Sequence, residues 1–427
     1  MRSNDSRIGQ ANNRSMKLEI NIKGVARPSG IMVFASALSL CAWLFPDFGV
    51  LRKGFSVPEG LDLVSVFILF SWYLLIFASL AIGQRLGSFF SARRLEKKNI
   101  PSLDSLGVYW TFTILGAIGT VSTFFRIFNT LPFVQAVLYI YLGQANRLKN
   151  TLYEDYRAGL FSLRYLVLYS ASLAIYRIVK FRKLSFLSIV NILLLAATVL
   201  ISSRLLLIAT LLISVFLLTY GRRSIKIDLV RLGVTALVLF AILSILNSSR
   251  NSNFYARRNL SFTQASISEI VTYLGAPFQV ALGAARATDE VAAGKPDSYR
   301  EFIDVEESLT TNSAFVQLHE QMGYFSWLYI SAVCCVMGFM FTWLSSFGKT
   351  AFLLPCGAIL YGSAELWRLD LFQQGIFIVW FFMGIAVPTV FAILGKRSVP
   401  ARLRSGGLRP SAAQSTLPAR NPPEPQA

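Results

Sequence analysis

The chain has 427 residues, of which 54% are hydrophobic and only 15% charged, with 41 Lys and Arg against 22 Asp and Glu. A net charge of +19 on so apolar a chain is better explained by a polytopic membrane protein, whose basic residues gather on one side, than by a soluble nucleic-acid binder. The four cysteines lie inside apolar runs and suggest neither a disulfide framework nor a thiolate metal site, and the single His319 excludes a multi-histidine centre, leaving only carboxylate ligation of a hard cation open.

In chain order, residues 1–29 form a basic N-terminus with Arg2, Arg7, Arg14, Lys17, Lys23 and Arg27. The first apolar run lacks a small-residue cleavage site and reads as a retained span. Apolar periodicity places spans near 30–46, 63–83, 107–128, 159–178, 185–201, 204–220, 228–247, 325–346, 350–364 and 372–395. Both termini then fall inside, and inner segments carry 26 basic and 6 acidic residues against 13 and 16 outside, with Arg126 and Arg164 within spans.

The run Leu131 to Tyr141 (LPFVQAVLYIY) is apolar enough to compete as an eleventh span, but accepting it would invert every later basic loop. The stretch near 131–146 is therefore expected to be re-entrant or interfacial. The 350–364 span is short and holds Pro355, so a tilted or broken helix is expected there. The expected domains are the N-terminus 1–29, a seven-span membrane domain 30–247, a large outer loop 248–324, three C-terminal spans 325–395 and a disordered basic cytoplasmic tail 396–427.

The outer face carries the candidate chemistry. Its largest segment opens with Arg250, Arg257 and Arg258, continues in a helical stretch from Ser266 to Ala285 that includes Pro277, and ends in the acids Asp304 to Glu307 and Glu320. Arg204 sits in a tight outer turn, Arg368 lies beside Asp370, and Arg126 and Arg164 lie near the outer ends of their spans, Arg164 shallow enough to snorkel. Any one of these is accounted for by a long cation at a membrane interface, but arginines drawn from several separate segments on the side that disfavours basic residues are not. The guanidinium fork engages phosphate oxygens bidentately, as a lysine does not. His319 is a candidate base, with Glu320 competing for the role, while Tyr255, Tyr273 and Tyr324 are aromatic candidates for sugar stacking. The chain contains no Walker or GxGxxG element.

Several local matches, taken in order, are similar to the Wzy-type oligosaccharide repeat-unit polymerases (O-antigen polymerases). They are Ala145-Asn146-Arg147 followed by Arg157-Ala158-Gly159, Ser202-Ser203-Arg204 running into an aliphatic helix, Tyr273-Leu274-Gly275-Ala276-Pro277, Thr311 to Phe315 leading to Gln321-Met322-Gly323-Tyr324, and Arg368-Leu369-Asp370. Met322 departs from the acidic residue often found at its position in that family. The resemblance implies an all-α polytopic fold of GT-C-like architecture with about ten transmembrane helices and a large periplasmic loop, in a bacterial inner membrane. It further implies a metal-independent glycosyltransferase that polymerises polyprenyl-diphosphate-linked repeat units into O-antigen, capsular or exopolysaccharide. No cofactor is implied beyond undecaprenyl diphosphate as part of the substrate, and the implied partners are the lipid-linked oligosaccharide, the membrane and a chain-length-regulating copolymerase, not nucleic acid. Carried onto this sequence, Arg204, Arg250, Arg257, Arg258 and Arg368 would stabilise the diphosphate leaving group, with His319 or Glu320 at the acceptor hydroxyl. Arg126, Arg147, Arg164, Tyr255 and Tyr273 would bind substrate. An O-antigen ligase shares this layout, and a lipid-linked-oligosaccharide flippase is the alternative of a different class.

Overall fold

The computed structural model describes residues 17–21, 24–44, 57–91, 100–142, 146–153, 159–201, 204–228, 233–246, 261–295, 298–303 and 313–397, with Phe55, Gln144 and Asn259. Each predicted span coincides with a helix. The first three are α1 (Pro28–Trp43), α2 (Leu63–Ser91) and α3 (Leu106–Thr130), followed by the short α4 (Phe133–Tyr141) and α5 (Asn146–Tyr153). Next come α6 (Val167–Phe181), α7 (Phe186–Ile201), α8 (Arg204–Thr219) and α9 (Gly233–Leu246). The remainder are α10 (Phe262–Arg286), α11 (Thr288–Ala292), α12 (Ala314–Met322), α13 (Phe325–Ser345), α14 (Leu353–Glu365) and α15 (Gly375–Arg397).

The described residues form a helical membrane protein. Four helices, α2, α3, α13 and the Gly375–Leu394 part of α15, are long and apolar enough to cross a bilayer by length and composition, while α1, α7, α8 and α9 are apolar but shorter. At nine residues α4 reaches only about 13 Å, well short of a ~30 Å hydrocarbon core. It packs with α5 over the ends of α3 and α7 in a small separate core around Ile127, Ala136, Leu148, Leu152 and Ile201.

Close helix approach has identifiable causes. The most extensive helix pair is α2 with α13, and a Cβ at Gly83 or Gly338 would collide with backbone carbonyls of the facing helix. Gly119 in α3 does the same for a 3₁₀ segment, Leu160–Leu166, which replaces the first two turns of the fourth predicted span: a side chain at Gly119 would run into the backbone at Leu163 and Arg164. Between α3 and α7, Asn191 Nδ2 donates to Thr113 Oγ1 at 2.9 Å and the Thr120 and Thr198 hydroxyls meet at 3.2 Å, the interhelical polar contacts a membrane interior favours.

Helix α14 is the centre of the molecule. Nearly every one of its residues is buried, and it touches α1, α8, α13 and α15. Its Pro355 lies in the first turn, where no intrahelical donor is required, so the helix runs unbroken where an interruption was expected. The predicted loop helix is α10, capped by a reciprocal Ser261–Gln264 box and continuous through Pro277. It packs against α1 and α2 and is buried at every position from Gly275 to Ala285.

The two ends of the bundle differ. At one, Leu103 N donates to the Lys349 carbonyl, Ala351 N to the Pro101 carbonyl and Arg177 Nη1 to the Asp104 carbonyl, Lys180 pairs with Asp104, and Tyr220 bonds the Ser345 carbonyl. A ribbon that the helical reading did not anticipate adjoins this end, with Lys17–Asn21 paired antiparallel to Ser224–Asp228 and Lys17 opposite Asp228. The alternating apolar residues of KLEIN and SIKID supply the strand pattern. At the other end, Glu59 N bonds the Phe302 carbonyl, and α10 to α12 and the α14–α15 connection come together.

Candidate functional site

The α14–α15 connection builds a buried charged and aromatic cluster, the Arg368 pocket, from a few consecutive residues. Helix α14 ends as the amides of Arg368 and Leu369 both bond the Glu365 carbonyl at 2.8 Å. That turn places Arg368 three residues beyond Glu365 on the same side, where its Nε donates to Glu365 Oε2 at 3.0 Å. Nη2 lies 3.0 Å from the same oxygen but off the hydrogen-bond line, and makes no hydrogen bond among the described residues. The pair is largely buried, with side-chain exposures of 16% for Arg368 and 8% for Glu365.

Tyr273 from α10 closes the pocket, its ring 4.6 Å from the Arg368 guanidinium carbon, and Trp367 meets the same ring edge-on at 6.3 Å. The neighbouring carboxylate and tyrosines hold the Arg368 pKa above its ordinary value against desolvation, so the group is a permanent cation. Asp370 caps the short 3₁₀ turn Leu371–Gln373 by accepting from the Phe372 amide at 3.0 Å. Burial pushes its carboxyl up to about 6, against the opposing pull of the hydrogen bonds it accepts.

A second arginine lies behind this pocket. Tyr361 of α14 packs on Trp380 of α15 at 6.2 Å, and Trp380 Nε1 donates to the Tyr165 carbonyl at 2.8 Å. Next to Tyr165, Arg164 is 1% exposed. Its Nη1 donates to the Phe161 carbonyl at 3.0 Å and its Nη2 to Tyr165 Oη at 2.7 Å. Arg164 does not snorkel, because the 3₁₀ segment turns its head inward onto its own backbone instead of toward the headgroups. Arg126, half-buried on α3, approaches the same Phe161 ring, and both guanidinium carbons are 5.3 Å from its centre. Arg147 is exposed and lies 5.1 Å over Tyr139, away from the pocket.

His319 is fully buried on α12. Trp327 Nε1 donates to its Nε2 at 2.9 Å, so Nε2 carries the lone pair and Nδ1 donates to the Phe315 carbonyl at 3.0 Å. Rings of Phe315 (4.2 Å) and Trp72 (5.2 Å) flank it, and burial holds its pKa below the ordinary range. Both nitrogens are therefore engaged, Nε2 in joining α12 to α13 and Nδ1 on the backbone of its own helix, which removes the free lone pair that a base facing substrate requires. Glu320, the next residue on α12, is exposed, and the exposed Tyr324 donates its hydroxyl to Asp289.

Of the remaining sequence candidates, Arg250, Tyr255, Arg257 and Arg258 lie outside the described residues, and Arg204 is described only by its backbone, as the first residue of α8. The structure thus brings together Arg368 with Tyr273, and Arg126 with Arg164 through Phe161. It adds Glu365, Tyr361 and Trp367, which sequence reasoning missed. An acid three residues before an arginine at a helix end was the available signal for Glu365. Among the described residues no group of three or more His, Cys, Asp or Glu side chains is arranged to hold a metal. No protein-family model, curated protein or solved structure matches the chain.

Proposed function

We propose that this chain is a membrane-embedded glycosyltransferase of the repeat-unit polymerase type, with about ten spans, cytoplasmic termini and its active face at the end that holds Arg368. The observation that carries this reading is the Arg368 cluster: a permanently charged fork is fixed through Nε by Glu365 beneath an aromatic ring, and its buried Nη2 has no hydrogen-bond partner among the described residues. Glycosyl transfer from a polyprenyl-diphosphate donor breaks the bond between the anomeric carbon and a diphosphate oxygen, and negative charge develops on that leaving group. A preoriented guanidinium stabilises this charge more than the ground state. Glu365 sets the fork's orientation and also offsets part of its charge, so further cations are needed, and Arg204, Arg250, Arg257 and Arg258 are proposed to supply them.

Arg126 and Arg164 support the neighbouring wall in this scheme, and Tyr273 offers a face to a sugar or to the diphosphate's cationic clamp. Glu320, exposed beside the anchored His319, is the group left to orient an acceptor hydroxyl.

The test is the lipid-linked glycan profile of the native host carrying a deletion, then Arg368→Lys and Arg368→Ala, resolved by gel and mass spectrometry. The expected result is loss of polymer with single repeat units still transferred to the final acceptor, and little rescue by lysine. Long polymer accumulating on its carrier would make the protein a ligase, and repeat units trapped on the cytoplasmic face would make it a flippase. Wild-type chain lengths in both Arg368 variants would remove the pocket from the mechanism.

A further inference from the structure

A groove of about 520 Å³ runs between α1, α8 and α9 at a distance from the Arg368 pocket. Val25 and Ile31 line one wall, Leu212 and Phe216 the second, Leu239 and Leu243 the third, and Leu360 of the central helix forms the floor. Its lining on α8 extends from Leu207 to Thr219, about 18 Å along the axis, slightly more than one leaflet of a ~30 Å hydrocarbon core. The mouth lies at the basic end of the bundle. There Arg27 is two residues from Val25, and Arg222 and Arg223 follow Thr219 by three and four residues, all three exposed.

We infer that this groove is a binding site for an anionic phospholipid of the adjoining leaflet, with acyl chain in the groove and headgroup phosphate on Arg27, Arg222 and Arg223. Dimensions select the occupant. A helix about 10 Å across and 18 Å long would fill about 1,400 Å³, well beyond the available space. A hydrocarbon chain of that length, with carbons packing at about 4 Å, fills about 300 Å³, so one chain fits. Charge selects the headgroup, since a basic rim beside an interhelical groove attracts an anionic lipid and gives a zwitterionic one less. The recess differs from ordinary lipid-facing surface because three helices and a floor enclose it, and because arginines crown only its mouth. This inference does not depend on the reaction proposed above, and it concerns the opposite end of the molecule.

The experiment is native mass spectrometry of the full chain released from nanodiscs of equimolar phosphatidylglycerol and phosphatidylcholine. Wild type is expected to retain phosphatidylglycerol preferentially. Combining Arg27→Gln, Arg222→Gln and Arg223→Gln at these exposed positions is expected to reduce that preference by about fivefold per arginine. Leu212→Trp, or Leu243→Phe should the first variant misfold, is expected to lower retention of both lipids by filling the groove. Equal retention of the two lipids by wild type, a preference unchanged in the triple arginine variant, or retention unchanged in a folded groove-filling variant would each overturn the site. Recovery of a polyprenyl phosphate or a second copy of the chain in place of phospholipid would overturn it equally.

Discussion

The two ends of this bundle use charge in opposite ways. At the basic end, Asp104 and Lys180 pair while still 38% and 39% exposed, and the helix connections are tied by backbone hydrogen bonds that need no particular side chain. At the Arg368 end, exposed groups such as Glu320 and Asp289 are joined by buried ones: Glu365 beneath Arg368, Asp370 under a 3₁₀ turn, His319 between aromatic rings. Exposed pairs close a structure at small cost and small gain, whereas buried ones are expensive to desolvate and persist where geometry has to be fixed. That asymmetry is independent of any motif, and single substitutions at the two ends measure it.

The largest effect is expected from separating the buried pair. Glu365→Ala leaves the Arg368 guanidinium without its counter-ion and is expected to cost about 3–5 kcal/mol, read as a large drop in thermal unfolding temperature in detergent. Replacing both Glu365 and Arg368 by leucine should recover most of that stability while polymer formation stays abolished. Loss of stability in the double variant equal to that of Glu365→Ala would show that packing rather than the uncompensated charge is responsible.

Asp370 comes next, and its signature is pH. Burial pushes its folded carboxyl up to about 6, above the ordinary value of 3.8, so the folded state binds the proton more tightly than the unfolded one. Its stabilising contribution is complete below 3.8 and is lost as pH rises through about 6. Asp370→Asn is therefore expected to match wild type in acid and to exceed it at pH 7.5 by at most about 3 kcal/mol, from 1.36 kcal/mol per unit. Unfolding temperatures of both proteins from pH 4.5 to 8 check this, and parallel curves would show that Asp370 does not titrate in that window.

His319 has the reverse sign. Its folded pKa is depressed, so its contribution is present above the ordinary imidazole value of 6.5 and lost as pH falls below it. His319→Leu strands the half-buried Trp327 indole N–H and is expected to cost about 1–3 kcal/mol near neutral pH. His319→Gln, which keeps an acceptor within reach, should recover part of that loss and retain polymerising activity. A glutamine variant as stable as wild type but inactive would return His319 to the chemistry.

Much of this architecture was legible in the sequence because run length and charge asymmetry are local properties. Each apolar run became a helix, and the eleven-residue stretch at Leu131 holds a nine-residue helix too short to cross. Arg368 and Tyr273 were both recognisable as residue types, but their contact depends on α10 packing deep against α1 and α2, which hydropathy does not encode. The burial of helix α14 was not legible for a related reason: inside a membrane protein a buried helix and a lipid-facing one are equally apolar, and only small residues such as Gly357, Ala358, Gly362 and Ser363 distinguish the former. His319 was readable as a lone titratable group but not as a bonded one, since its partners are fixed by the turn at Gly323 that folds α13 back onto α12.

The smallest effect is expected where the comparison began. Asp104→Asn removes the carboxylate that Lys180 pairs with, but the Arg177 bond to the Asp104 carbonyl and the neighbouring amide bonds of Leu103 and Ala351 are all backbone-directed and survive the change. The expected loss is about 0.2–1 kcal/mol, the range of exposed ion pairs. Because the pair is screened by water and counter-ions, that difference should shrink further between 0.05 and about 0.5 M salt, where the screening length falls well below 10 Å. The loss from Glu365→Ala should hold nearly constant over the same range, since the low-dielectric surroundings of a buried pair exclude the ions that screen it. A salt series on the two variants thus separates the ends by mechanism as well as by size. An equal salt response from both would mean that the Arg368 pocket is as open to solvent as the basic end, and it would withdraw the preorganised cation on which leaving-group stabilisation depends.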